Sequence, residues 1–169
     1  MSELMKRTWL LMAAGMMSGT VQATDLNISG MVVATPCMIE AGSVNQDVDF
    51  GQVRLTEMSA AGNASEWVPF EIQLANCPQG TTSVTATFSG TPAAADATLY
   101  ANAGTATNAA VQMAQAANKT VVQSDGSSMT VSVDAQRNAI YALAGRLIRF
   151  DETSAGSFRS VVQMNFTYQ

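Results

Sequence analysis

Carboxylates are the first side chains in this 169-residue chain that could do chemistry, because it contains no histidine at all. Without an imidazole, serine–histidine catalysis and histidine-bound metal are both excluded. Three acidic pairs stand close in sequence: Asp47 with Asp49, Glu66 with Glu71, and Asp151 with Glu152. Such pairs in β-proteins are usually solvated turn or surface charges. Asp47 and Asp49 could hold a calcium ion, but nothing nearby in sequence completes the ligand set that calcium needs. No catalytic residue, no metal and no cofactor is expected.

Cysteine and tryptophan are the other candidates. Cys37 and Cys77 are the only two cysteines and form no CxxC motif, which argues against zinc or thiol redox chemistry. Trp67 could stack on a sugar, yet it opens a strongly alternating segment, which assigns it to edge or core packing. Four Asn-x-Ser/Thr triplets occur, at Asn27, Asn63, Asn118 and Asn165, a pattern common by chance.

The chain opens MSELMKRTWLLMAAGMMSGTVQA. Lys6 and Arg7 precede an apolar run, and Val21-Gln22-Ala23 supplies a small-x-small end. This three-part layout is that of a secretory signal peptide, residues 1–23, cleaved after Ala23. The apolar run is well short of the ~20 residues a transmembrane helix needs, and no later segment is expected to cross a membrane. In an exported chain two cysteines are expected to pair. Closing a loop of that length would stabilise the fold by about 4 kcal/mol in the chain-entropy model.

The formal charge is −5 for the whole chain, and cleavage would remove Glu3, Lys6 and Arg7, leaving the mature chain acidic. The remaining bases are scattered. Nucleic acids and anionic membranes are bound through Lys/Arg clusters, so neither is an expected partner.

The strongest periodic signal is the C-terminus, GSFRSVVQMNFTYQ. Phe158, Val162, Met164, Phe166 and Tyr168 share one parity, broken only by Ser160. A period of two marks a half-buried strand, and Phe158 to Tyr168 would span about 33 Å. An unpaired apolar edge is a liability unless it is meant for a partner. At the other end, DLNISGMVVA places Leu26, Ile28, Val32 and Ala34 on one face with Gly30 in the same row.

Between these ends, WVPFEIQL alternates Val68, Phe70, Ile72 and Leu74 against Pro69, Glu71 and Gln73, with Pro69 restricted to an edge or bulge. TSVTATFSG alternates Val84, Ala86 and Phe88. A short strand is expected at Val48–Phe50, another over Ala109–Asn118, and two flanking an Asp125-Gly126 hairpin turn. Ala139–Phe150 places Ile140, Ala142 and Ala144 on one parity and Leu147 on the other, which predicts a bulge at Gly145. Many short strands and no convincing helix predict an all-β fold, a sandwich rather than a barrel.

Three features together make the chain resemble the chaperone–usher pilins, and within them the type 1-like fimbrial subunits. They are LNISGMVVATPC with its central glycine, the pair Cys37 and Cys77 (the latter in LANCPQGT), and Gly156 fourteenth from the end with a penultimate Tyr168. The stretch SEWVPFEIQLANCPQGTTSVTATFSG is most similar to minor tip-adaptor subunits. The resemblance implies an incomplete immunoglobulin-like sandwich, residues 37–169, lacking its final strand, preceded by a donor-strand extension, residues 24–36. The donor strand would use Leu26, Ile28, Gly30, Val32 and Ala34. The acceptor groove and C-terminal strand would comprise Gly156, Phe158, Val162, Met164, Phe166 and Tyr168. Implied partners are a periplasmic fimbrial chaperone, an outer-membrane usher and neighbouring pilin subunits. The implied location is the cell-surface fimbrium, reached through the periplasm. A major shaft pilin and a secreted, self-complete β-sandwich binding module are the alternatives.

Overall fold

A computed structural model describes residues 27–31, 35–60 and 63–169. The chain divides into two units, residues 1–32 and residues 33–169. In the first, residues 27–31 adopt no helix or strand, and Ile28 is exposed. The signal-peptide assignment and donor positions Leu26, Val32 and Ala34 lie outside the described residues.

The second unit is built from eight strands and two short helices: β1 (Met38–Ile39), α1 (Ala41–Val44), α2 (Leu55–Ala60), β2 (Val68–Ala75), β3 (Ser83–Gly90), β4 (Tyr100–Ala101), β5 (Ala109–Gln115), β6 (Ser128–Ser132), β7 (Ala139–Arg149) and β8 (Val162–Tyr168). They form two antiparallel sheets, ordered β1-β2-β7-β5-β4 and β6-β3-β8. An immunoglobulin domain orders its strands A-B-E-D in one sheet and C-F-G in the other. Here β1, β2, β7 and β5 take the places of A, B, E and D, while β3 and β8 take those of C and F. No described strand takes the place of G beside β8.

The core lies between the sheets. Ile72, Leu74, Tyr141, Leu143, Leu147, Val111 and Met113 project from the larger sheet, and Val84, Ala86 and Phe88 from the smaller one. Period-two alternation puts these side chains on one face of each strand. Cys37 and Cys77 are bonded to each other and buried, tying the start of β1 to the end of β2. A satellite cluster of Ala93, Leu99 and Ala110 packs with Ile148 and Phe150.

Four expectations are corrected. Val48–Phe50 is not a strand: Val48 and Phe50 turn inward while Asp47 and Asp49 stay exposed, but no described neighbour pairs with this segment. The Asp125-Gly126 turn forms, with Gly126 at φ +76°, but its arms do not make a hairpin. Val122 bridges to Ala114 in one sheet, whereas β6 pairs with β3 in the other, so the turn carries the chain between sheets. Gly145 carries no bulge, for β7 keeps constant register with both β2 and β5. The inward row of β7 is Ala139, Tyr141, Leu143, Gly145 and Leu147, leaving Ile140 43% exposed. Finally, α1 and α2 are helices that the alternation did not signal, each of six residues or fewer. The segment around Ala109, readable as helix or strand on composition, is strand β5.

Candidate functional site: a groove beside the last strand

β8 hydrogen-bonds to β3 along its whole length, from Val162↔Gly90 to Tyr168↔Val84. On its other side no described strand pairs with it. Its exposure alternates residue by residue, with Val162, Met164, Phe166 and Tyr168 half-buried and Gln163, Asn165 and Thr167 exposed. The apolar row is thus only partly covered by the domain it belongs to.

Beside that free edge runs a groove of about 850 Å³. One wall is residues 158–166, and the other is residues 43–50. The floor comprises Phe70, Ile72, Val111, Met113 and Gly145 from the larger sheet. Gly145 makes room there, because a Cβ at that position would come within 2.9 Å of the Phe50 ring. Phe50 reaches across to Phe158 in an edge-to-face contact, with ring centroids 5.4 Å apart, so the two walls meet at this end. Asp49 Oδ1 accepts a hydrogen bond from Gly51 N at 2.8 Å, turning the chain away beyond Phe50.

Of the residues assigned to the groove from sequence, Phe158, Val162, Met164 and Phe166 line it. Tyr168 instead packs on the core beside Tyr141, and burial pushes its phenol pKa up. Gly156 stands away from the groove, against Thr105 and Ala106. Sequence reasoning missed the opposite wall and the floor. Val48 and Phe50 were visible as an alternating pair, but nothing in the sequence said what they faced. Val161, an apolar residue on the otherwise polar parity of this segment, is 58% exposed and sits on the groove rim.

The acidic pairs gather no ligand set: among the described residues no three of His, Cys, Asp or Glu cluster as a metal site. Trp67 has the Arg146 guanidinium 4.5 Å from its ring centroid, and Arg146 Nε donates to Gln112 Oε1 at 2.8 Å. One face of the indole is therefore covered by the protein's own cation.

An apolar trough beside an unpaired strand edge recognises one kind of ligand, an extended peptide. The backbone edge supplies main-chain hydrogen bonds, and the trough receives alternate side chains. The fold and the groove together define an immunoglobulin-like sandwich that is open beside its final strand.

A family model described as "Fimbrial protein" matches residues 26–169. The chain is 36% identical to the protein FimG of Escherichia coli (strain K12), covering 96% of this chain and 97% of FimG. It is 28% identical to a probable major fimbrial subunit, LpfA of Escherichia coli O157:H7, over 97% of each. A solved chaperone–usher pilus superposes with a TM-score of 0.65 at 23% identity, covering 90% of this chain and all of that one. The chain belongs to the fimbrial protein family.

Proposed function

We propose that this subunit polymerises by donor-strand complementation and exchange, at a minor tip-fibrillum adaptor position in a pilus that supports cell adhesion. The observation that carries this reading is the free edge of β8 lying beside an apolar groove, opposite the alternating but unladdered segment at Val48–Phe50. An inserted strand would pair with both edges and cover Val162, Met164 and Phe166.

In this reading residues 1–23 are a signal peptide and residues 24–36 are the donor extension. Leu26, Ile28, Gly30, Val32 and Ala34 enter the groove of the preceding subunit. Burying the three large donor side chains, Leu26, Ile28 and Val32, at about 1.5–3 kcal/mol each makes a long-lived junction. A periplasmic chaperone lends a strand until the outer-membrane usher brings the next subunit, and the finished protein stands on the cell surface. The role is structural rather than enzymatic. One observation favours the adaptor over the shaft position: the tip-adaptor resemblance of residues 65–90.

The test is periplasmic expression of the chain with and without a fimbrial chaperone. A stable one-to-one complex with the chaperone, and poor folding without it, is the expected result. A well-folded monomer with no affinity for the chaperone would sink the proposal. Leu26→Asp should block incorporation into a pilus while leaving the chaperone complex intact. Loss of both together would refute the division between donor and acceptor.

A further inference from the structure

Gly156 was assigned to the groove, yet it lies against the β4–β5 connection. A Cβ on Gly156 would come within 2.8 Å of Thr105 C and of Thr105 Oγ1, and would also meet Ala106 N. Its counterpart is Gly104, where a Cβ would come within 2.6 Å of Ser157 C and 2.7 Å of Phe158 Cα. Neither glycine has the positive φ that would by itself require glycine. What both provide is space, letting two loops approach backbone to backbone.

That approach is held by a dense set of hydrogen bonds. Ala106 N donates to Ser157 O at 2.9 Å, and Ser157 N donates to Thr105 Oγ1 at 2.9 Å. Ala103 N donates to Arg159 O at 2.7 Å, and Arg159 N donates to Asn102 Oδ1 at 2.8 Å. The same Asn102 oxygen accepts from Gly104 N at 2.8 Å, while Asn102 Nδ2 donates to Ala106 O at 2.7 Å. The N–H and C=O of Ser157 and of Arg159 are therefore all engaged by residues 102–106. Phe158 sits between them.

Phe158 is also the residue that meets Phe50 across the end of the groove. It precedes β8, whose ladder with β3 begins only at Val162, so the sheet does not fix it. The clasp does. Resting on the donor-strand reading above, we infer that Gly104, Gly156 and Asn102 are positioning residues: they hold Phe158 in place and thereby shape the end of the groove that an incoming strand must enter or fill. On this view Gly156 acts through the clasp and touches neither donor nor chaperone.

The experiment uses the full chain captured as its chaperone complex, with a synthetic peptide of residues 24–36 as the donor probe and chaperone release as the readout. Gly156→Ala and Asn102→Ala are each expected to change the release rate about tenfold. The change should vanish when Phe158 is already replaced by Ala, the non-additivity expected of residues acting through one another. An effect that persists undiminished in the Phe158→Ala background, or no effect at all, would overturn the inference. If Gly156→Ala gives no complex, Asn102→Ala decides. Amide hydrogen exchange on the complex before peptide is added gives a second readout: Ser157 and Arg159 should be protected, and lose protection in Asn102→Ala. If the unmodified complex releases chaperone neither to this peptide nor to the donor extension of a neighbouring pilus subunit, the donor-strand reading fails and takes this inference with it. If it does release and the variants behave like the parent, only the clasp inference fails.

Discussion

The Tyr141 hydroxyl donates to the carbonyl of Val84 at 2.8 Å, joining the two sheets through the middle of the core. Both residues are fully buried. Tyr141 also packs its ring against Phe166, with centroids 5.7 Å apart, so this tyrosine links both sheets to the groove strand. A buried acceptor stripped of its donor costs about 1–3 kcal/mol. Tyr141→Phe should lower stability by that amount with little change in shape, measurable as a shift in the urea midpoint of the peptide-complemented domain at constant m-value.

Alkaline pH should act through the same group. Burial, with a smaller contribution from Tyr168, pushes the Tyr141 phenol well above its ordinary pKa of 10.0. Burial, followed by Asp125, pushes Tyr100 up to about 12. The folded state thus keeps protons that the unfolded chain releases, so this contribution is whole below pH 10 and is lost as pH rises toward 12 and beyond. Thermal melts across that range should show a falling midpoint, and Tyr141→Phe should flatten the fall. A midpoint independent of pH there would contradict the assignment.

The Cys37–Cys77 bond closes a loop with a sequence separation of 40 residues. Replacing both cysteines with alanine should cost roughly 2–5 kcal/mol. Denaturant titration of the double variant, compared with the oxidised parent, measures it. The yield of chaperone complex in the periplasm should fall in parallel.

Met164 and Thr167 project to opposite faces of β8, one lining the groove and the other exposed away from it. Met164→Asp places a charge in the trough and should abolish strand uptake, whether chaperone or donor peptide is offered. Thr167→Asp should leave both within a few-fold of the parent. Co-purification with the chaperone and peptide-induced stabilisation distinguish the two variants. Equal behaviour would mean that the apolar row of β8 is not the binding face.

Much of this was written in the chain itself. Alternation at Val68–Leu74, Val84–Phe88 and Val162–Tyr168 was legible because large apolar and polar side chains contrast strongly at a period of two. The two cysteines, alone in the chain, named their own partner. Alternation says which face a residue takes, however, and not which strand lies beside it. The inward row of β7 was misread for that reason. Ala139, Tyr141, Leu143, Gly145 and Leu147 differ too little from their alanine and isoleucine neighbours in hydropathy, and only packing against β2, β5 and Phe50 settles the parity. The arms of the Asp125-Gly126 turn likewise went to different sheets, β6 pairing with β3 while Val122 makes a single bridge to Ala114. Tertiary structure alone brought Phe50 to Phe158 and Gly104 to Gly156, contacts between segments more than fifty residues apart whose closeness depends on how two sheets stack. The last strand's apolar face was plain in the sequence. That it borders an open groove was decided by the fold, because an edge is exposed or covered only by what the rest of the chain places next to it.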